Sequence, residues 1–442
     1  MTAQQAVHNS SATPVIEAAQ ALKAKGFPLG RWLVRGNRYS RKTIQNLKRE
    51  GNRAPVKPQK LAEYIAASVV LHCADGWTFF SHAIDNLLSG DKATSVFMGY
   101  YAQLRAVMSF MASEGIGIFN DNHYWFDSHG NCHSFRGSTH GVVRDLIIKW
   151  ANFPSKSVRL LSILSLENKS FAEWVNAAHL PLGSPAVTEL ARDWLSAWSI
   201  DLNILNQDHS IRNEASYRPQ RIHPFPQLDE LEEYIPLIVH AWRASEPYGS
   251  NRFNLLDRYL LKNTLRSAFR NRTGKEPRGN RYSTFVQTAI GNLGLSINST
   301  LFDFLSSPET ITNHPILMEA RKKGENEDGS IRTLPILSRA YLLLRIASAA
   351  TQDFLSTCSI VKDDLRFWWE ALGNDAGLWI PGNLPDQMTD LWADVKDSVD
   401  SVEDWYTLNT GMFCTLKVRQ DLPFDSWQVN QFTRAGLWAI GL

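Results

Sequence analysis

The sequence is poor in cysteine, and its four cysteines lie far apart. Cys73, Cys132, Cys358 and Cys414 form no CxxC pair in the 442-residue chain, which argues against a zinc ribbon and against a disulfide framework. The chain also lacks a GxxxxGK[ST] phosphate loop, a GxGxxG turn after a strand, a GxSxG elbow and an HExxH helix. These absences disfavour an NTPase, a dehydrogenase and an α/β-hydrolase. We therefore expect free thiols and neither a cofactor nor a bound metal.

Long apolar runs are also absent. The most apolar stretch, AYLLLRIASAA at 340–350, is short and is interrupted by Arg345. The N-terminus, MTAQQAVHNSSATP, has no charged start followed by an apolar core. Because a membrane-spanning helix needs about 20 consecutive apolar residues, the sequence predicts neither such a helix nor an export signal. We expect a cytoplasmic protein.

Neither sign of charge is in large excess, but charge is unevenly distributed. The 46 Lys and Arg residues and the 44 Asp and Glu residues give a net charge of +2. Basic residues dominate 31–60, where Glu50 is the single acid, and they dominate again at 258–281. An acidic segment, DQMTDLWADVKDSVDSVEDW, lies at 386–405. The basic blocks predict contact with RNA or DNA, whereas the acidic segment is either a solvated helix or a docking surface.

One hexapeptide, RGNRYS, occurs twice, at 35–40 and at 278–283. Its glycine permits a positive φ, its arginines offer planar forks for phosphate, its tyrosine offers a face for stacking, and its serine can cap a following helix. In the second basic block, cations recur at every fourth residue, on one face of a helix. These patterns predict nucleic-acid binding by Arg35, Arg38, Tyr39, Arg258, Lys262, Arg266, Arg270, Arg278, Arg281 and Tyr282. The alternative is a tight turn with a cap that recurs without binding a ligand.

Helical periodicity is frequent along the chain, and the alternating pattern of strands is rare. LAEYIAASVV and GVVRDLIIKWA, for example, place their apolar residues on one stripe. The sequence predicts a mainly α protein with a basic N-terminal arm (1–60), a helical domain (61–225), a basic connecting helical region (226–330) and a C-terminal tryptophan-rich helical domain (331–442). The tryptophans of the last segment lie among leucines, which favours a core role over base stacking.

Two stretches of the 61–225 segment carry a resemblance to a known family. GYYAQLRAVMSFMASEGIGIFN, at 99–120, reads as a helix that ends near Gly115. Arg105 lies at the edge of its buried stripe and is a candidate catalytic residue. A loop rich in histidine and glycine follows, and SIRNEASYRP comes at 210–219. Together these features resemble HEPN domains, which are compact helical bundles common in prokaryotic toxin–antitoxin and antiphage systems. The resemblance covers about a third of the chain and implies a HEPN-like bundle followed by a second helical unit.

The resemblance also implies a chemistry. Family members that cleave RNA do so without metal, with an R-x4-6-H motif usually brought together from two protomers. Arg212 and Asn213 match the arginine and its common asparagine neighbour, but the sequence departs from the motif because Tyr217 stands at the histidine position. Tyrosine, with an ordinary pKa of about 10, is a poor base at neutral pH. His209, three residues before Arg212, is a substitute base on the same helical face. The alternative is a hydrogen-bonded structural corner.

The loop NHYWFDSHGNCHSFRGSTH, at 122–140, concentrates four histidines and one cysteine. Its spacings match no zinc pattern, so we expect an exposed turn at 129–131 and a helix cap at Ser138 or Thr139. Three functions follow from the sequence: metal-independent RNA cleavage through Arg212, nucleic-acid binding without catalysis, and assembly with a partner protein of a defence system. Pairing of two copies into a homodimer is expected by analogy with the family.

Overall fold

The computed structural model is built almost wholly from helices. It describes residues 2–50, 55, 57–178, 189–218, 228–296, 299–307, 314–409 and 415–442, with the backbone alone at 228–231 and 299. Of these residues 69% are helical and 5% lie in strands, so the predicted mainly α class is confirmed. Cys414 and the predicted boundary near 225 lie outside the described residues. Among the described residues no helix is long and apolar enough to cross a membrane.

The first helices lead into a long antiparallel hairpin. They are α1 (Ala3–Asn9), α2 (Thr13–Lys25), α3 (Thr43–Glu50), α4 (Pro58–Leu88) and α5 (Lys92–Ser113), with a 3-10 turn at Phe27–Leu29. Pro58 suits the first position of α4, since a helix leaves its first N–H groups unpaired. Asp91 caps α5 by accepting a hydrogen bond from the Thr94 amide. Because the α4–α5 connection is only three residues long, the two helices pack side by side.

A small antiparallel sheet follows the hairpin. Its strands are β1 (Ile116–Gly117), β2 (Asn122–Phe126) and β3 (Cys132–Arg136), in the order β1-β2-β3. The sequence predicts a loop for the histidine-rich segment, and the sheet corrects that expectation. All five residues of β2 are buried, so the strand lacks the alternation of apolar and polar residues by which a half-exposed strand is recognised. The exposed turn expected at 129–131 is confirmed, and Gly130 at its centre has a φ of +79°.

The middle of the chain is a series of shorter helices around a second, two-stranded sheet. The elements are α6 (Thr139–Ala151), α7 (Lys156–Ile163), β4 (Ser165–Leu166), β5 (Lys169–Ser170), α8 (Phe171–Ala178), α9 (Ala191–Ala197), α10 (Leu205–Tyr217), α11 (Leu228–Ala244), α12 (Asn254–Thr273), α13 (Gly279–Asn292), α14 (Ser299–Ser306) and α15 (Pro315–Ala320). The cap expected before α6 is confirmed, because the Ser138 side chain accepts a hydrogen bond from the Gly141 amide.

The C-terminal segment begins with the most buried helix of the described chain. Its helices are α16 (Leu334–Thr357), α17 (Arg366–Asp375), α18 (Leu391–Leu408), α19 (Thr415–Asp421), α20 (Pro423–Asn430) and α21 (Thr433–Ala439), with 3-10 turns at Lys362–Leu365 and Met388–Asp390. Every residue of α16 from Leu334 to Thr351 is buried. A helix that is buried on all sides must be enclosed by its neighbours, and α16 packs against both α4 and α5. Glycines admit this close packing: a Cβ at Gly76 or Gly99 would lie 2.6 Å from a leucine methyl of α16.

One core joins all four predicted segments. Buried apolar side chains from Ala3 to Leu442 form a contiguous cluster, to which the N-terminal arm contributes through α2 and the C-terminal region through Trp369, Trp392, Trp405 and Trp438. The predicted boundary at 60/61 falls inside the first turn of α4. The four-segment organisation therefore remains a prediction, while the core of the described residues is continuous. Among the tryptophans of the segment 331–442, Trp427 is the most exposed, at 39%.

Candidate active site

Polar and aromatic side chains from three helices meet where α5, α6 and α10 pack together. This group, named here the histidine–arginine cluster, consists of Phe97, Tyr100 and Tyr101 from α5, His140 and Arg144 from α6, and His209, Arg212 and Asn213 from α10. Both histidines and both arginines are half-buried. They are thus partly shielded from water and still reachable from solvent.

Two local features place the cluster's residues. The Ser138 cap starts α6 at Thr139, so that His140 lies in the first turn and Arg144 lies four residues on, over the same face. On α10, Asp208 is fully buried and anchors the helix through an ion pair with Arg339 of α16, with an Oδ1–Nη2 distance of 2.6 Å. The neighbouring His209 is thereby held toward α5 and α6.

The two histidines lie face to face. Their ring centroids are 5.3 Å apart with an interplanar angle of 30°. The Tyr100 ring lies 5.6 Å from the His209 ring, and its hydroxyl is 3.0 Å from Nδ1 of His140. Nη1 of Arg144 lies 3.4 Å from Nδ1 of His209. Because a guanidinium only donates, Nδ1 of His209 is the acceptor in this contact, and the neutral ring then carries its proton on Nε2.

Arg212 is fixed by aromatic rings and by hydrogen bonds. Its guanidinium carbon lies 5.2 Å from the Phe97 ring centroid, 5.8 Å from that of Tyr100 and 5.1 Å from that of Tyr101. It also donates to Oδ1 of Asn213 at 2.9 Å and to the Tyr101 hydroxyl. A cation over aromatic faces gains about 0.5–2 kcal/mol and loses rotamer freedom. The guanidinium is therefore preorganised before any anion arrives.

The surroundings favour neutral histidines. Burial lowers the pKa of His140, and the nearby Arg212, His209 and Arg144 lower it further. Burial likewise lowers the pKa of His209, with further contributions from Arg144 and Arg212. Burial raises the pKa of the Tyr100 hydroxyl, so this group stays protonated at neutral pH. The cluster thus combines two neutral imidazoles with two permanent cations, a set suited to proton transfer beside a phosphate.

The predicted catalytic residues separate into two groups. Arg212, Asn213 and His209 belong to the cluster. Tyr217 does not face it: five residues span about 140° beyond a full helical turn, and Tyr217 is 79% exposed at the end of α10. Arg105 lies in a neighbouring group, where its Nη1 is 2.9 Å from Nδ1 of His72. These two placements correct the expectation of a shared site.

Sequence reasoning missed five members of the cluster: Phe97, Tyr100, Tyr101, His140 and Arg144. Tyr100 and Tyr101 lie in the segment 99–120, which the sequence predicts to be helical, and His140 lies at the end of the histidine-rich loop; neither pattern gives them a role. Arg144 lies in the helix GVVRDLIIKWA, whose apolar stripe gives this arginine no role. The spacing of His140 and Arg144 by four residues was the available signal, but nothing in the sequence pairs α6 with α10.

Part of the predicted nucleic-acid-binding set is buried. Tyr39 and Tyr282, the tyrosines of the two RGNRYS copies, are both fully buried, which corrects the expectation that their rings stack on bases. The Tyr39 hydroxyl donates to Glu50, and the Tyr282 hydroxyl donates to the Leu305 carbonyl. Each tyrosine fills the core and satisfies its polar tip there.

The two copies also differ in secondary structure. The glycines have positive φ in both, +80° at Gly36 and +67° at Gly279, as a tight turn requires. The first copy stays a turn, whereas the second begins α13, so that neither serine caps the following helix as expected: Ser40 donates to the Asn37 carbonyl and Ser283 lies inside α13.

The cations that recur at every fourth residue of α12, here named the α12 stripe, are mostly covered: Arg258, Lys262, Arg266 and Arg270. Lys262 and Arg266 are 2% and 6% exposed, because α13 and α14 pack over them. Lys262 donates to the Ser307 hydroxyl, and the Arg266 guanidinium lies over the Tyr282 ring. Arg258 is half-buried, and the exposed Arg270 pairs with Glu276. The expectation of a continuous phosphate-binding face along α12 is therefore wrong, and only a few of its cations are accessible from solvent.

The remaining predicted cations are accessible. Arg35, Arg278 and Arg281 are exposed, and Arg38 is half-buried in an ion pair with Glu50. On the acidic side, α18 is partly engaged within the chain, since Arg243 of α11 pairs with its Asp400 and Glu403. Among the described residues no group of three or more histidine, cysteine or carboxylate side chains is arranged to hold a metal ion.

Comparison with known proteins found no matching family model, no matching curated protein and no matching solved structure. The chemistry of the histidine–arginine cluster is therefore the basis for the function assigned below.

Proposed function

We propose that this protein cleaves single-stranded RNA without a metal ion, at the histidine–arginine cluster, by attack of a 2′-hydroxyl on the adjacent phosphate. The observation that carries the proposal is the stacking of His140 on His209, close enough to Arg144 and Arg212 that, in addition to burial, both cations lower the pKa of both rings. The implied HEPN-like chemistry supports it from the sequence side. In this arrangement the base comes from the same chain as Arg212, so one protomer supplies both.

The two imidazoles differ in what they offer a substrate. In the tautomer in which Nδ1–H of His140 donates to the Tyr100 oxygen, Nε2 of His140 has a free lone pair and accepts the 2′-hydroxyl proton. His209, whose Nδ1 accepts from Arg144, presents Nε2–H as a hydrogen-bond donor to a phosphate oxygen. On this tautomer we propose His140 as the base and His209 as the hydrogen-bond donor.

The arginines serve the charge that develops on the phosphate. As the bond from the 2′-oxygen to phosphorus forms and the bond from phosphorus to the 5′-oxygen breaks, negative charge accumulates on the nonbridging oxygens. Arg212, already held by its aromatic neighbours, stabilises this charge with little reorganisation. The 5′-oxygen leaves with a proton from solvent, and His140 returns its proton to solvent. The products are a 2′,3′-cyclic phosphate and a 5′-hydroxyl.

RNA cleavage in EDTA tests the proposal. Purified protein is expected to cut labelled single-stranded RNA with EDTA present and to leave cyclic phosphate ends. The matched control substrate carries 2′-deoxy sugars at every position, which removes the nucleophile and should leave the strand intact. Cleavage that requires added divalent metal, or equal cleavage of the deoxy strand, would refute the mechanism. Binding without cleavage would favour the non-catalytic nucleic-acid-binding function instead.

The pH dependence provides a second test. The base must be neutral, so kcat/KM rises with pH through the pKa of His140 in the free enzyme. Because burial and the neighbouring cations lower that pKa, the midpoint of the rise is expected below the ordinary histidine value of about 6.5. Arg144→Gln removes one of those cations and should move the midpoint to higher pH. A wild-type midpoint above 6.5, or no shift in the variant, would contradict His140 as the base.

A further inference from the structure

A second basic feature lies away from the histidine–arginine cluster, between the end of α12 and the start of α13. A cleft of about 500 Å³ opens there, lined by Arg272 from the last turn of α12, Lys275 from the connecting loop and Arg281 from the first turn of α13. Phe269 and Phe285 form an apolar floor. This volume falls within the usual range of ligand clefts. We name it the α12–α13 groove.

The charge of the α12–α13 groove is not neutralised by its lining. Among the described residues the lining includes three cations and no carboxylate. The nearest acid along the chain, Glu276, is paired with Arg270, at 3.2 Å between Nη2 and Oε2. Within the described residues neither Lys275 nor Arg281 forms an ion pair. The groove therefore concentrates positive potential over a concave surface, which focuses the field on an approaching anion.

Helix stabilisation explains only one of the three cations. Arg272 lies at the C-terminal end of α12, where a cation is favourable, and it donates to the Ala178 carbonyl at 2.9 Å. Arg281 lies in the first turn of α13, where a cation is unfavourable, and Lys275 lies in the loop. Both extend from exposed positions beside the groove. Lys275 and Arg281 therefore do not stabilise α12 or α13 through the helix dipole, and their placement suits an anion bound between the two side chains.

We propose that the α12–α13 groove binds the phosphodiester backbone of single-stranded RNA as an accessory site, separate from the cleavage site. This inference rests on the proposed function for the identity of the polyanion. Arg281 provides a fork for a phosphate, and Lys275 provides a mobile point charge for the next one. The Phe floor lies beneath the sugars and bases. The groove raises affinity for RNA without taking part in bond cleavage.

The test separates binding from cleavage. Binding is measured by fluorescence anisotropy with a labelled single-stranded RNA that carries 2′-fluoro groups throughout and therefore cannot be cut, from ~50 to ~200 mM salt. The variant is Lys275→Gln/Arg281→Gln. The matched control is Lys396→Gln/Arg366→Gln, which removes two exposed cations from α18 and α17. Circular dichroism and Tm verify that all proteins are folded.

The groove variant is expected to bind RNA roughly tenfold more weakly at the lower salt concentration, and the slope of log Kd against log salt should fall by about 1.4, or about 0.7 for each lost phosphate contact. The control should bind as wild type does. The cleavage rate of the groove variant at saturating natural RNA should remain near the wild-type value, because neither Lys275 nor Arg281 belongs to the histidine–arginine cluster.

Other outcomes are equally informative. If the groove variant binds RNA as tightly as the control while the wild type cleaves RNA, the accessory site is refuted and the proposed function stands. If binding is lost equally in the control, the effect is one of net charge and the groove has no special role. If the wild type has no affinity for RNA but binds an acidic peptide through Lys275 and Arg281, both the accessory site and the proposed function are refuted.

Discussion

An Arg212→Ala variant is expected to cleave RNA with a kcat about 10²–10³-fold below that of wild type, the usual loss when one preorganised charge-stabilising donor is removed. Three aromatic rings and two hydrogen-bond partners hold the Arg212 guanidinium, so that a mobile cation cannot replace it. The effect should fall mainly on kcat, since the charge is greatest in the transition state.

Two further variants separate chemistry from packing. Arg212→Lys retains the charge and loses the planar fork, so cleavage by this variant should be intermediate. Arg218→Ala removes an exposed arginine at the end of the same helix and should have no effect on cleavage. Single-turnover cleavage assays with Tm measurements provide the readout. Wild-type kcat in a folded Arg212→Ala protein would eliminate the cluster as the catalytic centre.

The second large effect is expected on stability. Asp208→Asn should lower the free energy of unfolding by about 3–5 kcal/mol, because it leaves the Arg339 guanidinium charged and fully buried without its counterion. The amide also replaces a carboxylate that accepts a hydrogen bond from Gln103 at 3.0 Å. Since Asp208 anchors α10, the substitution should displace His209 and lower cleavage as well. Urea denaturation measures the stability change.

The controls for this prediction lie on the same helices. Glu214→Gln changes a carboxylate of α10 that pairs with Arg218 at 3.9 Å near the surface, and it should cost less than about 1 kcal/mol. The double variant Asp208→Asn/Arg339→Met should recover part of the loss, since no buried charge then remains uncompensated. If Asp208→Asn alone is as stable as wild type, Arg339 must find another partner, and the anchoring of α10 by this pair is wrong.

The candidate site was only partly predictable. The shared location of Arg212 and His209 was predictable, because their spacing of three residues places both on one face of a helix, and helix formation depends on local sequence. His140, Arg144, Tyr100 and Tyr101 lie 65 to 112 residues from Arg212 or His209 along the chain, and their proximity in the structure depends on how α5, α6 and α10 pack. A single sequence carries no record of that packing.

The sequence by itself determined the mainly α class, the positive φ at the glycine of each RGNRYS copy and the cap before α6. Each of these depends on the residues of one short segment: apolar side chains at helical spacing, a glycine without a Cβ, a serine beside free amides. The tertiary structure alone decided that Tyr39 and Tyr282 are core residues, that the α12 stripe is largely covered, and that two distant histidines stack. Whether a side chain is buried, and which side chains it contacts, depends on residues that are remote in sequence, because the core that encloses it is assembled from distant parts of the chain.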